Sequence, residues 1–267
     1  MYGSTNRNER RDTLKVTILG CSGGIGGGRH TTALLVDDDI LIDAGSGVTR
    51  LSLQQLAAID HVFITHSHLD HILALPLMLD SVGAMRDRPV TVYAIDSVIE
   101  ILRQDIFNWR IWPDFTELPE ERPYLRYQAV EVYEPTRLGK RSITALPASH
   151  TVPAVGYQLD SGMASLVFSG DTGPNPALWD WVNRIENLRT VIIETAFPQD
   201  EHGVAVASRH LSPELLAAEL AQLKRPAQVY ITHLKPGREQ AIMEEIALHA
   251  SNDHQPHVLI EGRVFDL

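Results

Sequence analysis

A histidine-rich motif that directly follows an apolar segment places the tightest constraint on this chain. The segment "DHVFIT" is typical of a buried strand, and the next residues, "HSHLDH", contain His66, His68, Asp70 and His71. Neutral imidazole and carboxylate groups are the usual ligands of zinc and related ions in hydrolytic enzymes. A solvated polar turn would explain an isolated H-x-H pair, but it explains the complete H-x-H-x-D-H pattern less well. The motif therefore predicts a metal site at the end of this strand.

The spacing within the motif divides its ligands into two pairs. His66 and His68 are two residues apart, so in an extended segment their side chains share a side and can bind one ion. Asp70 and His71 follow at the point where the chain is expected to turn into the helical segment "HILALPLMLDSV", and they can face a second ion. Because two ions need more than four ligands, we expect other parts of the chain to supply the rest.

Three other apolar segments end in a residue that can bind metal. His150 follows "RSITALPA", Asp171 follows "ASLVFSG", and His233 follows "AQVYIT". A single residue of this kind is usually solvated or capping, but its repetition after several strands predicts a shared site. Asp43 also ends a strand-like segment, "ILID". It is predicted either to orient a metal ligand from behind or to cap the local backbone.

The alternation of strand-like and helix-like segments predicts an α/β fold with helices outside the sheets. With 267 residues, 44% of them hydrophobic, the chain can form one large domain. We assign that domain to residues 14–267 and a flexible tail to residues 1–13. Residues 108–135 contain several prolines and aromatic residues without a clear period, which predicts an irregular insertion over a surface or cleft. The segment "SPELLAAELAQL" predicts a helix with Ser212 as its N-cap and Pro213 as its first residue.

The charge balance argues against polyanionic partners. Lys and Arg number 23 against 34 for Asp and Glu, a net charge of −11, so we expect no membrane partner and no stable nucleic-acid partner. Cys21 is the one cysteine, which excludes an intrachain disulfide, and we expect it to be buried rather than a ligand. The N-terminus lacks the apolar core of a signal peptide, so we expect a cytoplasmic location.

At these residues the chain resembles the metallo-β-lactamase fold superfamily, and the resemblance extends over residues 14–267. It implies a four-layer αββα sandwich with the site at one edge of two sheets. It also implies two divalent metal ions, with zinc as the first expectation and manganese or iron as alternatives. In the implied ligand set one ion is bound by His66, His68 and His150, the second ion is bound by Asp70, His71 and His233, and Asp171 bridges both.

Finer features are similar to the class II cyclic-nucleotide phosphodiesterases. The segment "HSHLDHILALPLMLDS" matches their signature except at Ala74, where that family generally has Gly or Ser. The segments "GCSGGIGGGRHTTALLV" and "NWRIWPDF" resemble two further parts of the family. The resemblance implies hydrolysis of a 3′,5′-cyclic nucleotide, cyclic AMP first, to the 5′-monophosphate by hydroxide formed from water between two ions. Because the glycine-rich segment lacks the Gly-Lys-Ser/Thr of a P-loop, we predict that it allows close backbone approach beside the metal site.

A second group of residues resembles the acid of phosphodiester-cleaving branches. Glu194 ends the strand-like "RTVIIET", and His210 precedes the helix for which Ser212 is the predicted N-cap. In those branches a histidine supported by an acid protonates the leaving oxygen. The resemblance implies that His210, Glu194 and Asp70 are catalytic. The alternative is that His210 merely lies near a helix N-terminus, where a positive imidazole is disfavoured.

Aromatic residues of the predicted insertion are candidates for binding the base of a small anionic nucleotide. Trp109, Trp112 and Phe115 could each stack on a purine, an interaction worth about 1–3 kcal/mol per base. Alternatively, they could close a small core beneath the loop.

Other functions remain open from the sequence. A transfer-RNA 3′-processing endonuclease would share His210 and its acid partner, but it would need a basic clamp, and residues 172–193 are short and ordinary. A lactamase or thioesterase hydrolase is a second alternative, although a secreted lactamase would need a signal peptide. A catalytically silent nucleotide-binding protein would be expected to lack ligands, and all seven ligand positions are filled. Because related folds often form dimers, a homodimer is also allowed.

Overall fold

The computed structural model describes residues 13–249 and 255–267, and these residues form two sheets that face each other. The predicted tail lies outside the described residues except for Thr13. In spatial order the first sheet contains β14 (Val264–Asp266), β1 (Lys15–Gly20), β2 (Ala33–Val36), β3 (Ile40–Ile42), β4 (His61–Phe63), β5 (Val90–Ala94) and β6 (Leu125–Ala129). The second contains β13 (His257–Val258), β12 (Gln228–Thr232), β11 (Leu188–Glu194), β10 (Ser165–Phe168), β9 (Val155–Asp160), β8 (Arg141–Pro147) and β7 (Pro135–Leu138).

Each sheet has an antiparallel part and a parallel part. Strands β3, β4, β5 and β6 are parallel to one another, whereas β14, β1, β2 and β3 pair in antiparallel fashion. In the second sheet β10, β11, β12 and β13 are parallel, and β7 to β10 are antiparallel. Since parallel strands end at the same edge, residues that follow several of these strands are brought to one side of the molecule.

Helices cover the outer faces of both sheets. The chain contains α1 (Leu53–Ala58), α2 (Leu69–Ile72), α3 (Ala74–Val82) and α4 (Asp96–Ile101), and later α5 (Pro176–Val182), α6 (His202–Ser208), α7 (Pro213–Leu220) and α8 (Glu239–His249). The predicted start of α7 is confirmed, with Ser212 before the helix and Pro213 as its first residue. Across the described ranges, no helix combines the length and the apolar content that crossing a bilayer requires.

Three apolar layers hold the elements together, and they confirm the four-layer αββα architecture. One core lies between the first sheet and helices α1 to α4, and another lies between the second sheet and α5, α7 and α8. The central core joins the sheets. There the Phe63 ring stacks on Tyr93 with centroids 4.3 Å apart and meets the edge of Tyr157 from the second sheet at 5.6 Å. Such aromatic pairs contribute about 0.5–1.5 kcal/mol each beyond their burial.

The structure corrects the prediction of an irregular insertion at residues 108–135. Strand β6 lies inside that range and pairs with β5 along its whole length. It is an edge strand of which Leu125 alone is fully buried, so its sequence shows no apolar alternation. Strand β14 was also not predicted. It is short, its first and third residues are exposed, and it forms by pairing with β1.

Candidate metal centre

The predicted ligands come together where strands of both sheets end. His66 lies three residues after β4 of the first sheet, whereas Asp171 lies three residues after β10 of the second. The His66 Nε2 and Asp171 Oδ2 atoms are nevertheless 3.6 Å apart. His233 directly follows β12, and its Nε2 is 3.4 Å from the same carboxylate oxygen. The two sheets therefore meet at a polar centre that neither could form alone.

A first group of possible ligands contains His66, His68, His150 and Asp171. One donor atom from each residue lies within 4.8 Å of the others. The His150 Nε2 atom is 3.2 Å from His68 Nδ1. The side chains of His66, His150 and Asp171 are buried, and His68 is partly exposed. This set of three imidazoles and one carboxylate suits zinc and related divalent ions.

A second group contains Asp70, His71, Asp171 and His233, again with donor atoms within 4.8 Å of one another. His71 Nε2 is 3.4 Å from Asp171 Oδ2. The Asp70 Oδ2 atom lies 3.7 Å from His233 Nε2 and 3.9 Å from His71 Nε2. Asp171 thus belongs to both groups. The structure brings together all seven residues that the resemblance implied as ligands.

Buried nitrogen atoms show that these residues fit metal ions. Within the described part of the chain, His66 Nε2 and His71 Nε2 are buried without a hydrogen-bond partner. Leaving a buried polar atom unpaired costs about 1–3 kcal/mol. Both atoms lie 3.4–3.6 Å from the carboxylate of Asp171. A cation among these groups would satisfy both nitrogens and the carboxylate together.

The pKa values agree with this assignment. Burial lowers the pKa of His66 well below its usual value, that of His150 to about 4 and that of His233 to about 3, so all three are neutral at pH 7, as ligands must be. For His71, burial alone would lower the pKa, but the carboxylates of Asp171 and Asp43 raise it well above its usual value. A proton held among carboxylates in this way is what a metal ion would displace.

Asp43 orients His71 from behind. Its Oδ2 atom is 2.7 Å from His71 Nδ1, which directs the opposite nitrogen, Nε2, toward Asp171. The same carboxylate accepts hydrogen bonds from the Thr65 backbone nitrogen and from Thr65 Oγ1, both at 2.8 Å. Burial raises the pKa of Asp43, although His71 and Thr65 oppose the rise. Asp43 therefore has both predicted contacts, one with a ligand and one with the local backbone.

His210 and Glu194 form a close pair beside the ligands. His210 Nδ1 is 2.6 Å from Glu194 Oε1, and Glu194 is fully buried. The His210 ring lies 4.9 Å from the ring of His150 and 5.3 Å from that of His233, so it contacts both ligand groups. Burial would lower the pKa of His210, but the Glu194 carboxylate outweighs it and raises the pKa above its usual value. The arrangement therefore favours the protonated form of His210.

The glycine-rich segment lies against His233, as predicted. A Cβ atom on Gly23 would overlap the carbonyl oxygen of His233, so only glycine allows this approach. The His233 backbone nitrogen donates to the Cys21 carbonyl at 2.8 Å. Burial raises the pKa of the Cys21 thiol to about 12, and Sγ donates to the Leu259 carbonyl at 3.4 Å. Cys21 is half-buried rather than buried as expected, and its Sγ contacts a backbone carbonyl.

Two supporting residues were missed by the sequence reasoning. Thr65 contacts the Asp43 carboxylate as described above, and its Oγ1 is 2.9 Å from His66 Nδ1. Arg209 holds His150 from both ends: its backbone carbonyl is 3.1 Å from His150 Nδ1, and its Nη1 donates to the His150 carbonyl at 2.7 Å. The backbone of Arg209 is left-handed, with φ of 51°. In the sequence Thr65 directly precedes His66 and Arg209 directly precedes His210, and this adjacency is the signal that could have identified them.

The aromatic candidates separate into different roles. The prediction that Phe115 stacks on a base is wrong, because its side chain is 4% exposed and packs between Phe107 and Tyr124 in the helical core. Trp112 is partly buried against the same core. Trp109 is 59% exposed and remains available for a ligand. Phe115 and Trp112 thus pack with the core, and Trp109 is the candidate that is mostly exposed.

Comparisons with known proteins agree with this architecture. A family model described as a β-lactamase superfamily domain matches residues 38–234. A probable 3′,5′-cyclic-nucleotide phosphodiesterase from Yersinia pestis is 29% identical over 85% of this chain and 80% of its own length. A ribonuclease Z from Alkaliphilus oremlandii is 27% identical over 85% of this chain and 90% of its own. Unliganded yeast PDE1 has the same fold, with a TM-score of 0.82 and 20% identity over 96% of this chain and 99% of that chain. Because the family model spans most of the chain, this protein belongs to the β-lactamase superfamily.

Proposed function

We propose that this protein is a metal-dependent phosphodiesterase that hydrolyses 3′,5′-cyclic nucleotides, cyclic AMP first, to 5′-monophosphates. The observation that carries the proposal is the position of the His210–Glu194 pair. It lies against two four-residue ligand groups that share Asp171. Ligand groups alone would suit many hydrolases of this fold. A protonated imidazole beside them is the group that the departure of an alkoxide from phosphorus requires.

The ligand residues would hold two divalent ions, with Asp171 common to both sites. Such ions, when bound, neutralise phosphoryl oxygens and activate water for in-line attack. The chain itself fixes the positions of the donor atoms. Asp43 orients His71 and Arg209 orients His150, so one imidazole in each group is held by a contact at its second nitrogen.

His210 would act as the general acid. A water molecule that has lost one proton to solvent attacks, and as its oxygen forms a bond to phosphorus the bond from phosphorus to the 3′ oxygen breaks. A proton passes from His210 to that 3′ oxygen, which leaves the imidazole neutral. Glu194 holds the ring through Nδ1, so Nε2 is the nitrogen left to donate. The buried carboxylate also stabilises the protonated ring before the transfer. The product is the nucleoside 5′-monophosphate.

The net charge of the chain and the name of one relative support a small nucleotide as the substrate. A net charge of −11 disfavours a long polyanion such as precursor RNA, whereas a cyclic nucleotide needs only the local charge of the centre. The relative from Yersinia pestis is named as a probable 3′,5′-cyclic-nucleotide phosphodiesterase. Because another relative is named ribonuclease Z, RNA is the substrate to test directly beside the cyclic nucleotide.

The test is product formation from 3′,5′-cyclic AMP, measured by chromatography with Zn²⁺ or Mn²⁺ supplied. We expect 5′-AMP from the wild type, no product from His66→Ala, and slow product formation from His210→Ala. Precursor transfer RNA, nitrocefin and a thioester serve as comparison substrates under the same conditions. Turnover of one of these without turnover of any cyclic nucleotide would contradict the proposed substrate class.

A further inference from the structure

Lys235 lies at the rim of the candidate centre and is partly buried. Its ammonium group contacts uncharged groups. Its Nζ atom donates to the Gly23 carbonyl at 2.9 Å and lies 5.4 Å from the centroid of the Phe197 ring. Arg29 and Arg238, by contrast, pair with carboxylates. Among the residues that the structure describes, no carboxylate forms an ion pair with Lys235. Within that part of the chain, the charge of Lys235 therefore has no ion-pair partner.

The position of Lys235 links it to the proposed acid. The Phe197 ring that it contacts also meets the edge of the His210 ring, with centroids 5.7 Å apart. The Lys235 backbone nitrogen donates to the Ala196 carbonyl at 3.3 Å, which ties it to the loop after β11. His233, two residues earlier, stacks on His210 at 5.3 Å. The ammonium group, the acid and the second ligand group thus share one rim.

The chemistry of the ammonium group indicates an anionic ligand. Lysine has three N–H donors, and the Gly23 carbonyl uses one of them, which leaves two for another acceptor. A partly buried cation is stabilised when an anion completes its hydrogen bonds. We propose that Lys235 binds a phosphoryl oxygen of the substrate and so selects anionic phosphodiesters. This inference rests on the proposed function, and it identifies a substrate contact outside the metal ligands.

The competing explanation is structural. Lys235 could serve only to fasten the glycine-rich segment, through Gly23, to the loop that carries Phe197. A structural role would affect all ligands of the site equally. A phosphate contact would affect only ligands that carry a phosphate, and another cation would restore part of the binding.

The experiment compares 5′-AMP with adenosine as probes on the metal-loaded protein, using isothermal titration calorimetry. For Lys235→Met we expect 5′-AMP binding to weaken by roughly 10- to 100-fold, as for the loss of one charged hydrogen bond, with adenosine binding unchanged. Lys235→Arg should recover much of the loss. Lys224→Met, which removes an exposed lysine beyond α7, is the matched control and should bind both probes as the wild type does.

Equal weakening of both probes, or no change in either, would overturn the assignment of Lys235. Metal content and melting temperature are measured for each variant, and Lys235→Gln replaces Lys235→Met if the latter does not fold. Hydrolysis of bis(p-nitrophenyl) phosphate separates this proposal from the proposed function. If the wild type cleaves that diester but no cyclic nucleotide, a raised KM in Lys235→Met would still support the phosphate contact.

Discussion

The two halves of the candidate metal centre are built in different ways. The half from the first sheet comes from one continuous stretch, residues 66–71, which is fastened to the fold through Asp43 and Thr65. The half from the second sheet is collected from residues between 150 and 233, each placed by the end of a different strand. A local motif needs little more than its own turn to form, whereas the collected half requires both sheets to pack correctly. Asp171, which belongs to both ligand groups, joins the two halves.

The largest effect is expected at that junction. Asp171→Ala removes the carboxylate common to both ligand groups, so both ions should bind weakly and turnover should fall by roughly 10³-fold, or ~4 kcal/mol. Metal content by mass spectrometry and product formation from cyclic AMP measure the two effects. Asp180→Asn, at an exposed position of α5, is the control and should behave as the wild type. Retention of both ions in Asp171→Ala would show that each ligand group holds its ion without the shared carboxylate.

Removing the acid should slow the reaction without removing the ions. His210→Ala is expected to lower kcat by about 10²- to 10⁴-fold, the usual contribution of a general acid, while both ions remain bound. His249→Ala changes an exposed histidine at the end of α8 and controls for the substitution itself. Loss of an ion from His210→Ala would mean that His210 is a ligand and would remove the distinction between the acid and the ligand groups.

Substituting Asp43, which supports the motif of residues 66–71, should have a smaller effect than substituting a ligand residue. Asp43→Asn weakens the contact that orients His71, so we expect metal affinity to fall by about 10- to 100-fold, chiefly at one of the two ions. Competition with a chelator measures this change, and Asp38→Asn in the exposed β2–β3 turn is the control. If the affinity for both ions fell equally, Asp43 would support the whole centre and not only the half formed by residues 66–71.

The smallest expected effect is a shift in the pH profile. Activity that needs protonated His210 is lost as pH rises through its pKa, which the Glu194 carboxylate holds above the usual value of about 6.5. Glu194→Gln removes that charge, and the remaining burial lowers the pKa. The alkaline decline of kcat should therefore move to lower pH. If the alkaline decline of kcat stayed at the same pH, a group other than His210 would cause it.

The contrast between the halves also explains what the sequence could predict. The local motif and the strand-end residues His150, Asp171 and His233 could be found because strands that end in ligand types leave a visible pattern. The contact of Arg209 with His150 could not, since it depends on a backbone carbonyl and a left-handed residue. Phe115 was misassigned because an aromatic residue in a proline-rich segment has the same local pattern whether it is buried or exposed.

In the proposed mechanism, both halves form one dinuclear site that hydrolyses a cyclic nucleotide. The most direct measurement is a titration of Zn²⁺ into metal-free protein, with 5′-AMP formation from cyclic AMP recorded at each addition. We expect two equivalents of Zn²⁺ to bind per chain, with full activity only when both are bound. Saturation at one equivalent, or two equivalents without any 5′-AMP, would contradict it.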